Sequence, residues 1–142
     1  MRVVSNTSPV SNLAILGEVD LLRQRFERVV IPHAVESELK RLDHPHALQA
    51  IESALESGWL LVEEVPDRRV IPLLLGRIDL GEAEAIELAR QTNADLLVLD
   101  DLAGRTLAAE LTLPYTGLLG LLAREKLEGR IPSLAHHDRP VA

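Results

Sequence analysis

Several side chains able to bind a cation or a phosphate stand where short aliphatic runs of this sequence stop. "LLVLDD", Leu96 to Asp101, sets two carboxylates side by side after four aliphatic residues, and "VVSNTS" places Asn6 and Thr7 directly after another such run. Two further carboxylates, Glu38 in "PHAVESELKRL" and Glu82 in "GEAEAIELARQ", lie in segments of helical period. At about 3.6 residues per turn, Glu82, Ile86 and Ala89 share one stripe of their helix, while Glu84, Glu87 and Gln91 share the opposite stripe. The same geometry sets Glu38 between Ala34 and Leu42 on the side of Val35, and turns Glu36 outward to pair with Lys40 at i, i+4. One carboxylate on each helix therefore faces inward, and Asp100 follows its strand directly.

Taken singly, each has a structural explanation. Glu82 would be favoured by the dipole at a helix N-terminus. Asp101 would cap the next helix, with Arg105 one turn on, and Asn6 would form an ordinary turn with its own backbone. Together, Glu38, Glu82 and Asp100 are hard to explain as core, because like charges brought close repel and the usual remedies are a shared proton or a bound cation. The chain has no cysteine, and all-oxygen donors point to Mg²⁺ or Mn²⁺ rather than zinc. Such a cluster suits phosphodiester cleavage, in which metal ions activate water and stabilise the departing oxygen.

The elements that must position these groups follow from the alternation of aliphatic runs with helical segments, which marks βαβ units around a parallel sheet. Strands are expected at Arg2 to Ser5, Val29 to Ile31, Leu60 to Val62, Leu96 to Leu99 and Pro114 to Tyr115. The expected helices are Leu13 to Leu16 and Val19 to Phe26, broken near Gly17; a helix opened by a first-turn Pro32 and running to Leu42; Pro45 to Glu56, stopped at Gly58; Gly81 to Gln91; Leu102 to Leu111; and a last pair around Leu118 to Leu127 and Ser133 to His136. No linker, repeat or low-complexity tract interrupts residues 1–142, so one doubly wound α/β domain is expected, with its ligand beyond the carboxyl ends of the strands.

Length and composition bound the function. A chain of 142 residues can bury about 70% of its unfolded surface. Its aromatics are Phe26, Trp59 and Tyr115 alone, which argues against a base-stacking platform. The net charge of -7 argues against a generic electrostatic DNA binder, though a nuclease could neutralise its carboxylates with metal. No apolar run suits a signal peptide or approaches the ~20 residues of a membrane span, so a soluble cytoplasmic protein is expected.

Other chemistries lack their residues. No G-x-G-x-x-G follows a strand and no G-K-[ST] occurs. A response regulator would carry its acidic pair after the first strand, where this chain has Ser5 and Asn6. A nucleophilic Ser5 or Ser8 would need a base, and His33 fits better as an exposed first-turn residue. "HPH", His44 to His46, lacks a third ligand and suits a solvated helix start. Arg23, Arg25 and Arg28 form a positive strip equally explained as the outer face of the second helix, and the basic-leaning tail with Arg124, Lys126, Arg130, His136, His137 and Arg139 could touch RNA but is better explained as solvated surface.

The stretches "VVSNTSPVSNLAILGEVDLL", "VVIPHAVESEL", "DLGEAEAIELA", "ADLLVLDDLAGRTLAAELTL" and "YTGLLGLLAREKLEG" together resemble the PIN domain, in the branch associated with toxin-antitoxin systems, from the first strand to about Gly129. The resemblance implies a five-stranded parallel sheet in order 3-2-1-4-5 and an Mg²⁺- or Mn²⁺-dependent endoribonuclease acting on single-stranded RNA. Residue by residue, it implies a site made of Asn6, Glu38, Glu82 and Asp100 with Asp101 nearby, and hydroxyls of Thr7 or Thr116 to hold a water or phosphate. Asn6 departs from the aspartate expected at its position. It can ligate a hard cation through its oxygen but brings no charge. The implied partners are RNA and a cognate antitoxin. The alternative is a PIN-like interaction module with weakened metal binding. A homodimer is compatible with the surplus leucines Leu21, Leu22, Leu118, Leu119, Leu121 and Leu122, which core packing explains equally well.

Overall fold

Five short runs become strands: β1 Val3–Ser5, β2 Val29–Pro32, β3 Leu60–Glu63, β4 Leu96–Val98 and β5 Tyr115–Thr116. They form one parallel sheet in the order β3-β2-β1-β4-β5, which is the order the resemblance implies. The structure is a computed structural model describing residues 1–127, the side chain of Glu125 excepted. The expected segment Ser133 to His136 and, of the basic-leaning tail, Arg130, His136, His137 and Arg139 lie outside the described residues.

The helices are α1 Thr7–Ile15, α2 Asp20–Phe26, α3 His33–Lys40, α4 Pro45–Ser57, α5 Ile71–Leu74, α6 Leu80–Gln91, α7 Leu102–Glu110 and α8 Leu118–Leu127. α1 starts at Thr7 rather than Leu13, because Pro9 falls in its first turn, where a missing N–H costs nothing, and Asn6 is extended at the cap position. Pro32 ends β2 and caps α3 instead of standing inside its first turn. α5 was not expected; its four residues include Pro72 near its start. α4 stops at Gly58, whose φ of 84° is the left-handed conformation that suits glycine.

Side-chain alternation along the strands sorts the apolar residues into two cores. Val3, Val29, Ile31, Leu60 and Val98 point to the layer of α1, α2, α3 and α4, where Leu13, Leu22, Leu39 and Ile51 complete the packing. Val4, Val30, Leu97 and Leu99 point to the other layer, against Ile86 and Leu88 of α6 and Leu107 of α7. Leu21, Leu22 and Leu121 are core residues and Leu118 and Leu122 pack against that core, so Leu119, 79% exposed, is what remains of the leucine surplus. Among the described residues no helix is long and apolar enough to cross a membrane.

The stripes expected of α6 need correction. Every residue from Gly81 to Ala89 is buried, so Glu84 (4% exposed) and Glu87 (1%) are as enclosed as Glu82 (5%). The stripe opposite Glu82 does not face water. It is covered by the segment that follows β3, and its charges are met by partners. The Arg90 guanidinium forks onto Glu87 at 2.7 and 2.8 Å, and Gln91 exchanges hydrogen bonds with the backbone of Asp67 at 2.6 and 2.8 Å. Buried carboxylates are tolerated on these terms.

Candidate active site

The carboxyl ends of β1, β2 and β4 lie side by side, and the residues that follow each strand meet there. β1 pairs with β4 through Ser5 and Val98, and the Asn6 N–H continues the ladder onto the Val98 carbonyl at 2.9 Å. Asn6 is 5% exposed, and its side chain makes no capping hydrogen bond on α1. It lines a cavity of about 230 Å³ together with Thr7, Glu38, Asp79, Glu82 and Asp101. A hollow of about 700 Å³ lies elsewhere, between α1, α2 and α4 beside Trp59. His44 and His46 line it, but His44 Nδ1 accepts the Ala47 N–H at 3.0 Å as the cap of α4, so "HPH" is a helix start.

Glu82 enters the cavity through a capping box. Asp79 Oδ1 accepts the Glu82 N–H at 2.8 Å, and Glu82 Oε1 accepts the Asp79 N–H at 3.3 Å. That use engages one carboxylate oxygen. The other, Oε2, is buried with no hydrogen-bond partner. Burial, the adjoining Asp101 carboxyl and the charge of Asp79 push Glu82 up to about 8 from the usual 4.5, against the pull of the Asp79 N–H. Asp101 moves the opposite way, held down by Glu82 and by the Gly104 N–H that it caps at 3.1 Å. The two neighbouring carboxyls are thus pushed apart, Glu82 towards its protonated form and Asp101 towards its charged form. Burial and Asp79 also raise Glu38, while Thr7 and Arg41 draw it back. The Thr7 hydroxyl lies near enough to Glu38 to favour its charge, yet its Oγ1 closes no hydrogen bond of proper geometry.

The structure brings together Asn6, Thr7, Glu38, Glu82 and Asp101 of the residues expected from the sequence, and leaves Asp100 and Thr116 outside the cavity lining. Asp100 Oδ1 instead accepts the Leu118 N–H at 2.6 Å and so holds the first turn of α8. Thr116 ends β5 beside Val98, its hydroxyl directed to the Gly117 carbonyl at 3.4 Å. Asp79 was missed, although its spacing from Glu82 is that of a capping box. Three glycines were missed as well. A Cβ on Gly81 would overlap Glu38 Oε1, one on Gly104 would lie 2.8 Å from Glu82 Oε2 and 2.7 Å from Leu99 Cδ1, and one on Gly117 would lie 2.8 Å from Asp100 Oδ1. Each of these carboxylates reaches its place over a residue without a side chain. Gly104→Ala is expected to destabilise the fold by about 1–3 kcal/mol through overpacking, measured by urea denaturation.

The PIN-domain family model matches residues 2–137 of the chain. The protein is a PIN domain. Its fold is shared by a PilT N-terminus domain protein, SSO1118, of the archaeon Sulfolobus solfataricus, at 24% identity and TM-score 0.59 over 99% of this chain and 100% of that one. PAE2754 of Pyrobaculum aerophilum matches at 22% identity and TM-score 0.61, over 89% of this chain and 98% of that one. No curated protein matches. PIN domains are generally nucleases and generally use divalent metal ions.

The donors of this PIN domain fit such an ion in their chemistry. They are all oxygen, and the unpartnered Glu82 Oε2 is a buried ligand atom without an occupation. Among the described residues no three Asp, Glu or His side chains are gathered into a ready ligand set. Burial and Asp101 favour the protonated form of Glu82, which lowers the charge of the metal-free cavity.

Proposed function

We propose that this PIN domain hydrolyses phosphodiester bonds of single-stranded RNA as an endoribonuclease dependent on Mg²⁺ or Mn²⁺, and that it acts in the cytoplasm as the toxin of a toxin-antitoxin pair. One observation carries the nuclease reading: Asn6, Glu38, Glu82 and Asp101, from four separate segments, line one cavity at the carboxyl edge of the sheet, and one of their oxygens is buried with no partner. Those four residues would hold the ion. When bound, it supplies charge stabilisation for the phosphoryl group and makes a water molecule more acidic.

The chain's own residues supply the rest. The Thr7 hydroxyl, at the first position of α1 and in the lining of the cavity, would hold a water or a phosphate oxygen. A second cavity of about 400 Å³ shares Glu38 and Asp79 with the first and carries Arg41 and Ser37, which offers a phosphate of the RNA a cation beside the acidic group. The resemblance to the toxin branch is what supports the antitoxin as partner, and that partner would cover the acidic cavity. The single-domain reading over residues 1–142 and a homodimer belong to the same proposal.

Asn6 favours a second reading, an interaction module with weakened metal binding, because the expected aspartate would have brought a charge to a cavity where an amide stands. Cleavage of single-stranded RNA separates the two. The nuclease reading expects cutting with Mn²⁺ or Mg²⁺ and none with EDTA. Cutting by Asn6→Asp together with inert wild-type protein would establish the module.

A further inference from the structure

Glu84 lies on α6 two residues beyond Glu82 and outside the lining of the acidic cavity, and the nuclease reading gives it no role. Its carboxylate crosses the carboxyl edge of the sheet, from the layer of α6 to that of α3. There Oε1 accepts the Ala34 N–H at 2.9 Å, in the first turn of α3. No side chain of its own caps that turn, since Pro32 stands at the cap position. Oε2 meets the Arg68 guanidinium at 2.8 Å, and the Arg68 side chain is half exposed while that of Glu84 is 6% exposed.

Ala34 and Glu38 are one turn apart on α3, and Gly81 and Glu84 nearly one turn apart on α6, so the two pairs form a single seam. At one end Glu84 grips the Ala34 amide; at the other, Glu38 lies against Gly81 with no room for a Cβ between them. The contact that fixes one end of α3 on α6 therefore sets where Glu38 stands relative to Glu82.

We propose that Glu84 is a positioning residue, which docks the N-terminus of α3 on α6 and so holds Glu38 within reach of the cation that Glu82 and Asp101 would share. The inference rests on the metal-dependent reading of the site, and Mn²⁺ binding to the full chain, followed by isothermal titration calorimetry, tests it without RNA. Glu84→Gln keeps the length and an acceptor oxygen for the Ala34 N–H, whereas Glu84→Asp keeps the charge and loses the reach.

Mn²⁺ affinity of Glu84→Gln should stay within about threefold of wild type, and Glu84→Asp and Glu84→Ala should lose about tenfold or more, the scale of residues that orient ligands. With RNA, kcat should fall in the same two variants while KM holds. A merely structural Glu84 would lower the melting temperature and leave Mn²⁺ affinity unchanged in the folded variants. That result overturns the proposal, as does a Gln variant impaired as badly as Asp. Should Glu84→Ala fail to fold, the Gln and Asp pair decides. Wild-type protein that binds Mn²⁺ but cuts no RNA sinks the nuclease reading alone, and wild-type protein that binds no Mn²⁺ sinks both.

Discussion

Asp101→Asn lowers RNA cleavage by about a hundredfold or more, and its neighbour Asp100→Asn leaves most of the activity in place: that is the expected outcome of substituting the acidic pair one residue at a time. Asp101 lines the cavity beside Glu82, which with the Gly104 N–H holds its carboxyl below the usual range. A ligand of a catalytic cation contributes several kcal/mol of charge stabilisation at about 1.4 kcal/mol per decade of rate. Asp100 is turned onto the Leu118 amide, and asparagine can still accept that hydrogen bond through its own Oδ1. Asp100→Ala cannot, and should cost about 1–3 kcal/mol of stability through the unmet amide at the start of α8. Initial rates on a single-stranded RNA, with urea denaturation of each variant, separate the roles. Loss of cleavage by Asp100→Asn with full activity of Asp101→Asn would reverse the assignment.

Glu82→Gln should also lose about a hundredfold or more in cleavage, for the same reason, while remaining folded. Glutamine at this position preserves the capping box, because its carbonyl oxygen can accept the Asp79 N–H as Glu82 Oε1 does. The variant should also change the pH dependence of stability in metal-free protein. Between the unfolded value of 4.5 and the folded value of about 8, the folded wild type binds more protons at Glu82 than the unfolded chain does. The stability this protonated group contributes is full below pH 4.5 and is lost as the pH rises towards 8. Melting temperatures in EDTA should therefore fall over that window in the wild type and fall less in Glu82→Gln. Mn²⁺ should raise the wild-type midpoint at about pH 8 and leave the variant nearly unmoved, since a ligand stabilises only the state that binds it. Equal pH profiles for the two proteins would show that Glu82 does not hold the proton.

The sequence by itself determined the five strands and set its candidate site at their carboxyl ends. Runs such as Val3–Val4 and Leu96–Leu99 have no other use in a chain of this pattern than a buried parallel sheet, and parallel sheets put their ligands beyond the strand ends. Glu38 was legible because helical period separates an inward carboxylate from its outward neighbour whenever a helix has one wet face. From Gly81 to Ala89 α6 has none, so period alone could not single out Glu82 from Glu84 and Glu87. Glu84 and Glu87 became buried because the segment after β3 folds back over their stripe and brings Arg68, Asp67 and Gln91 into contact, a pairing between residues far apart in the chain that periodicity cannot register. The choice between Asp100 and Asp101 was likewise tertiary. Both follow β4, and only the position of α8 beside β5 gives Asp100 an amide to bind, leaving Asp101 to face Glu82. Local pattern names the residues at an edge; which of two neighbours turns into the cavity depends on what the rest of the chain sets against the other.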